Sequence, residues 1–368
     1  VLRQLTDIAA KVEAGERLDR EDGLRLFAEG DLLTLGYLAN LVRERRSGDD
    51  TYYIINAHIN YTNVCRNRCR FCAFSRDEGA PDAYLMTVEE ILARAEDAVA
   101  RLGVAGYEVS EFHIVGGLHP TAPFSYYLDM MAALSGRFPQ AHLQAFTAVE
   151  IAHLAERGGL SVEECLAQLR AAGLGSLPGG GAEVFSPRVR DLLCPEKISG
   201  DDWRAVIRTA HQLGLRTNAT MLYGHVETPA EVVDHLLALR DLQDETGGFL
   251  AFIPLAFHPA HTRMPELPGR LPYTTGCADL RMIATARLLL DNFPHIKVFW
   301  IMAGIKLAQV ALSFGADDLD GTVDEERITH AAGAATPQSL TVTAIEQLIR
   351  DAGRTPVRRD TLYQRVGG

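Results

Sequence analysis

From about residue 50 onward, short β-rich runs alternate with amphipathic helical stretches, and no other feature limits the chain as much. The strand candidates are Tyr53–Ile59, Glu111–Val115, His142–Phe146, Gly175–Leu177, Arg216–Met221, Phe249–Pro254 and Lys297–Met302, with a weaker eighth near Asp317–Leu319. Capping residues mark the helix starts between them. Thr87-Val-Glu-Glu90 and Ser161-Val-Glu-Glu164 read as capping boxes. Thr228-Pro229 gives an N-cap with proline at the first helical position and Glu231 at the third. Such alternation predicts an α/β chain with a parallel sheet and crossover helices. Seven or eight units over about 270 residues match a TIM-type (β/α)8 barrel in size. An open doubly wound sheet is the competing architecture, and periodicity does not separate the two. The expected layout is a helical extension over 1–48, the barrel over 49–335, and a C-terminal part over 336–368 with a helix at Leu340–Gly353 before a basic tail.

The 368 residues are 47% hydrophobic and 23% charged, enough for a large core in one barrel-sized domain or two smaller ones. No run of about 18 apolar residues occurs, so no membrane span is expected. The first residues mix charges and do not read as a signal peptide. Because the chain begins at Val1 and not at Met, a short preceding stretch is expected. The net charge of −12 argues against general binding of nucleic acid or anionic membrane, since both need a basic patch. A small anionic substrate stays compatible, because a few cations in a cleft outweigh the global charge locally.

Six cysteines occur, and three of them fall in Cys65-Arg-Asn-Arg-Cys69-Arg-Phe71-Cys72, just after the first strand candidate. Cys165, Cys194 and Cys277 are scattered and read as structural. A large chain without a secretion signal reads as metal chemistry in a reducing cytoplasm, not as a disulfide framework. One short loop can wrap three thiolates around a single inorganic centre. The fourth cysteine is absent. A structural zinc site closes with four protein ligands, and His58 is the candidate to complete one. The alternative is an iron–sulfur cluster with one iron left open to a ligand carrying an amine and a carboxylate.

The CxxxCxxC spacing, with an aromatic residue before the last cysteine, resembles the radical S-adenosylmethionine (SAM) superfamily. That resemblance implies a [4Fe–4S] cluster on Cys65, Cys69 and Cys72, and SAM cleaved to a 5′-deoxyadenosyl radical, with Phe71 near the adenine. Gly116-Gly117-Leu118-His119-Pro120 ends the next strand candidate, where paired glycines let backbone approach a ligand with amides free. It is similar to the superfamily's glycine motif, which holds the methionine amino group. Leu118 stands where an acidic residue is usual, so backbone carbonyls would do that work. The second glycine loop, Gly179-Gly180-Gly181, lacks the phosphate-loop layout. It places Glu183 as a candidate near the ribose or methionine, and Lys197 as a candidate for the methionine carboxylate.

Polar residues cluster at the ends of the other strands: Thr147 and Glu150, Asn218 and Thr220, Tyr223 and His225, and His258. In a barrel that end carries the active site. The segments AFTAVEI, GSLPGGGAEVFSPRVR, TNATMLYGHVET and LAQVALSFGADDLDGTV, taken with the cysteine loop, resemble the aminodeoxyfutalosine synthase family of menaquinone biosynthesis. Cyclic dehypoxanthinylfutalosine synthases and the tyrosine-using half of FO synthase share part of the pattern. The resemblance implies transfer of the adenosyl group onto 3-[(1-carboxyvinyl)oxy]benzoate, an electron donor such as flavodoxin or ferredoxin, and no nucleic-acid or membrane partner. His119, His225 and His258 are the expected partners of the two substrate carboxylates.

Overall fold

The structure, a computed structural model, describes residues 5–264 and 273–367. Its strands are β1 (Asp50–Ile54), β2 (Asn56–Ile59), β3 (Glu111–Ile114), β4 (His142–Ala145), β5 (Ser176–Leu177), β6 (Arg216–Tyr223), β7 (Phe249–Ala256), β8 (His295–Ile296), β9 (Asp318–Gly321) and β10 (Thr355–Arg359). A seven-stranded parallel sheet runs from β2 to β8 in chain order, and β10-β1-β9 form a second. The parallel bridges Lys297–Asp318 and Ala57–Asp324 join the two sheets. There the Val298 amide donates to the Asp318 carbonyl at 2.9 Å and the His58 amide to the Asp324 carbonyl at 2.8 Å. The ring of strands therefore closes, which removes the open-sheet alternative.

Helices start where the sequence marks them. Thr87 accepts from the Glu90 amide while the Glu90 carboxylate accepts from the Thr87 amide, and the helix Val88–Val104 buries Ile91, Ala95 and Ala98 toward the strands. The boxes at Ser161/Glu164 and Thr228/Glu231 form in the same way. The helical extension consists of Thr6–Ala14, Arg20–Ala28 and Leu32–Ser47.

Three expectations change. The first strand candidate is two strands divided at Ile55, because its first half serves the smaller sheet and its second half the larger. The run Lys297–Met302 is not a strand: β8 ends at Ile296, one isolated bridge follows at Lys297, and Trp300–Ala303 turns into a short helix whose indole N–H donates to the Gly321 carbonyl. Its apolar composition suits a strand, but the buried indole needs that partner. The C-terminal tail is a strand as well, β10, in parallel register with β1.

Closing the ring buries acidic residues. Arg287 meets Asp317 at 2.6 Å with neither side chain exposed, and His295 meets the same carboxylate at 2.9 Å. Arg359 on β10 meets Asp318 at 2.7 Å. Burial alone would push the Asp317 carboxyl up, yet Arg287 and His295 outweigh it and hold the group well below the usual carboxylate range. Removing one partner of such a pair strands a buried charge. Arg287→Met should therefore cost about 3–5 kcal/mol in urea unfolding. In the parent chain the Asp317 contribution is complete above about pH 4 and is lost as pH falls further, because the unfolded chain takes up the proton first. Unfolding midpoints measured across that range check both statements.

Candidate active site

A cavity of about 330 Å³ occupies the barrel. Cys65, Cys69, Cys72 and Phe71 form part of its wall, with Gly116, Gly117 and Leu118. Val115, Leu222, Ile253, Leu255, Phe257 and Phe299 make an apolar belt. His58, Glu111, His113, Gln144, Lys297 and Asp320 supply a polar group from the strands. The strand period puts those side chains inside: His58 lies opposite His113, which lies opposite Gln144, while the alternating Phe112 and Ile114 are fully buried.

The cysteine loop is held by backbone hydrogen bonds from outside itself. The Cys65 amide donates to Arg76 at 3.0 Å, Arg66 to Leu118 at 2.9 Å and Arg70 to Leu193 at 2.8 Å. Gly117 packs directly under it. A Cβ at that position would stand 2.2 Å from the Val64 carbonyl oxygen and 3.0 Å from the Cys65 Cβ. Burial pushes the Cys65 thiol up, and the Cys69 thiol up to about 12. Thiols in such a setting keep their protons until a metal takes the charge. Among the described residues, no three His, Cys, Asp or Glu side chains are grouped to hold a single ion. His58, the candidate to complete a zinc site, instead stacks on His113 at 4.4 Å. A cluster that gives each thiolate its own iron spreads its ligands further apart, and three thiols on one cavity wall fit that demand.

Lys197 and Glu183 also line the cavity, and they form an ion pair with each other. The lysine nitrogen lies 5.0 Å from the centroid of the Phe71 ring. Burial acts to lower the Lys197 pKa, but Glu183 together with Cys69 and Cys194 outweighs it and raises it. Glu183 has a positive φ of 48°, strained for a residue with a Cβ. The glycine amides are not free as expected. Gly116 donates to the Glu150 carboxylate at 3.0 Å and Gly117 to the Thr62 carbonyl at 2.9 Å. Glu150 and Thr147 reach the cavity wall, but they form a capping box with each other, and Glu150 also accepts from the Tyr61 hydroxyl at 2.8 Å.

Of the remaining candidates, Thr220 and His258 line the cavity and His119, Asn218, Tyr223 and His225 do not. His119 turns its Nδ1 to accept from the Thr121 and Ala122 amides, pinning its own turn. The Asn218 carbonyl is pressed against Gly179, where a Cβ would come within 2.1 Å of it. Tyr223 donates to Asp279 at 2.8 Å and borders a separate outer pocket. The His225 ring is wholly buried against the Leu222 carbonyl and Glu227. Among the three histidines expected to meet carboxylates, His258 alone reaches the cavity, where its Nε2 bonds the Met302 carbonyl at 3.0 Å. Cys165 and Cys194 are buried off the cavity wall and Cys277 is exposed.

The polar strand residues Glu111, His113, Gln144, Lys297 and Asp320 were not among the candidates. Their signal is faint but present: in Glu111-Phe-His113-Ile and Leu143-Gln144-Ala145, polar residues hold alternate positions of strands that a packed core would fill with hydrocarbon.

Residues 59–239 match the radical SAM superfamily, and 246–366 match the CofH/MqnC C-terminal region. An aminodeoxyfutalosine synthase of Thermus thermophilus is 48% identical over 365 residues, covering 99% of this chain and 96% of the relative. One of Streptomyces coelicolor is 45% identical, covering 97% and 93%. The chain belongs to the aminodeoxyfutalosine synthase family of radical SAM enzymes. A 5-amino-6-(D-ribitylamino)uracil–L-tyrosine 4-hydroxyphenyl transferase of Methanopyrus kandleri is also similar, 41% identical over 98% of this chain and 95% of its own. Two solved structures share the fold. The hydrogenase maturase HydG of Carboxydothermus hydrogenoformans superposes with a TM-score of 0.74 at 15% identity over 98% of this chain and 80% of its own. Methylornithine synthase, PylB, gives 0.73 at 17% identity over 95% and 97%. Among the described residues no helix is long and apolar enough to cross a membrane.

Enzymes of this family use a [4Fe–4S] cluster and SAM, and the reaction is of transferase type. The packing of Gly117 under the cysteine loop gives a direct check. Gly117→Ala should leave the barrel folded, with unchanged far-ultraviolet dichroism, but cut iron and sulfide bound after anaerobic reconstitution several-fold. Gly136→Ala, where nothing lies within 4 Å of the added carbon, should bind as much iron as the parent.

Proposed function

We propose that this enzyme is an aminodeoxyfutalosine synthase, joining the adenosyl group of SAM to 3-[(1-carboxyvinyl)oxy]benzoate. The observation that carries the reading is one cavity with thiols in its wall, an apolar belt and a polar patch, in a chain 48% identical over nearly its whole length to an enzyme of that name. Bound in this cavity, the reduced cluster and SAM would supply a 5′-deoxyadenosyl radical for addition to the enol-ether double bond, with aryl migration and loss of the carboxyl group, giving aminodeoxyfutalosine and methionine.

The chain's own residues would do the rest. Cys65, Cys69 and Cys72 would hold the cluster, and Phe71 would pack on the adenine. Gly116 and Gly117, in the cavity wall, would offer carbonyls to the methionine ammonium. Lys197 and Glu183, already paired, would meet the methionine carboxylate and the ribose by opening that pair toward the ligand. The belt from Val115 to Phe299 excludes water from the radical and receives the aryl ring. Thr147, Glu150, Thr220 and His258 shape the wall. All six cysteines are free thiols, in keeping with a reducing cytoplasm, where a flavodoxin or ferredoxin would deliver the electron.

A second reading rests on the methanogen relative, 41% identical, whose name is that of a tyrosine-using transferase. Anaerobic incubation of reconstituted enzyme with dithionite and SAM separates the readings. With the enol ether, mass analysis should find a product containing adenine and equimolar methionine. Turnover only with tyrosine and 5-amino-6-(D-ribitylamino)uracil would establish the second reading. A cyclic product without adenine, formed from a futalosine-derived nucleoside, would make the enzyme the sister cyclase.

A further inference from the structure

Lys297 is a buried cation for which no hydrogen-bond acceptor stands in reach among the described residues. Its side chain is 8% exposed and lines the cavity. One ion pair reaches it within 4 Å among the described residues, to Asp320 at 3.7 Å, too long for a hydrogen bond. The ammonium makes no hydrogen bond among the described residues, although a buried ammonium has three N–H groups to satisfy. Asp320 accepts instead from the Asn56 side-chain Nδ2 at 3.4 Å, and Glu111 lies 3.9 Å from the His113 Nδ1. Asp320 offsets the lysine's charge without saturating its donors.

The surroundings are shaped for a flat group. His58 and Phe299 present rings within 4° of parallel, 6.5 Å between centroids, and His113 stacks on His58 at 4.4 Å. Burial, then the neighbouring His113 and Lys297, keeps His58 neutral, so it offers a ring face and not a charge.

Resting on the synthase reading above, we infer that Lys297, with the ring faces of His58 and Phe299, is the receptor for the aryl carboxylate of the substrate. Of the anionic groups in the reaction, the methionine carboxylate belongs with the amine at the open iron. The enol carboxylate is attached to the reacting double bond, which must lie beside the adenosyl group. The ring carboxylate is the group furthest from the chemistry, and Lys297 is the cavity cation not already hydrogen-bonded to a protein carboxylate. The enol ether then points toward the cysteine wall.

The test compares 3-[(1-carboxyvinyl)oxy]benzoate with 2-phenoxyacrylate, which lacks only the ring carboxylate. Holoenzyme and its Lys297→Met variant are titrated calorimetrically with each and assayed for adenosyl adduct. The parent should bind the dicarboxylate about 10- to 100-fold more tightly, the range of a buried charge-assisted hydrogen bond. Lys297→Met should abolish that preference while binding 2-phenoxyacrylate as the parent does, and Lys297→Arg should restore part of it. Should Lys297→Met bind too little iron to be assayed, Lys297→Gln carries the same comparison. A preference unchanged by loss of the charge, or an equal loss on both ligands, overturns the proposal. If the parent binds both ligands but forms no adduct, the synthase reading fails and the binding comparison still decides the role of Lys297.

Discussion

A barrel with a polar interior can close only if each charge it traps is met. Asp317, Asp318 and Asp320 follow one another along the last barrel strand, and each has a different partner. Asp317 is held by Arg287 from a covering helix, and Asp318 by Arg359 from the C-terminal strand. Asp320 faces Lys297 across a gap of 3.7 Å and accepts from the Asn56 side-chain amide at 3.4 Å. The backbone bridge that completes the ring pairs Lys297 with Asp318, so closure itself fixes the height of the cavity's lysine. This makes β10 more than an appendage. Without Arg359, the residue beside the closing bridge would be a buried, unpaired carboxylate.

At the cysteine wall the governing constraint is steric instead. The loop from Cys65 to Cys72 lies on Gly117 with no room for a methyl group. The adjacent Gly116 amide is bonded to Glu150, which also caps its own helix and takes the Tyr61 hydroxyl. A carboxylate that accepts three hydrogen bonds is a stiff strut, even though burial raises its pKa. Three elements are thus locked under the loop, and the thiols proposed to reach separate irons are presented from a fixed base.

What could be read from the sequence follows from how local each signal is. Capping boxes at Thr87, Ser161 and Thr228 need only four residues, and all three form. The cysteine spacing is equally short-range. His119 and His225 were legible as residues near strand ends, but not as residues facing inward. Each bends back to bond its own turn, and that choice depends on φ and ψ within the loop. Lys297 was hidden for a different reason. It heads an apolar run, Val298-Phe299-Trp300-Ile301, that reads as strand, and only the partner chain segment at Asp318 shows where pairing stops.

The same division bears on how one scaffold serves several reactions. Relatives between 38% and 48% identical over nearly the full length carry two different enzyme names, so the radical-generating wall alone does not decide the product. What distinguishes substrates must touch the part of the ligand that is not SAM. On the reading proposed above, that part of the cavity is lined by the strand residues His58, Glu111, His113 and Gln144, with Lys297 one residue beyond β8. Side chains on strands are fixed by register, so a change there alters shape and charge without moving the cysteine loop. On the proposal above, Lys297 between ring faces is the group that would select an aromatic acid. Exchanging that one charge would refit the cavity to another aromatic partner while leaving the iron end as it is.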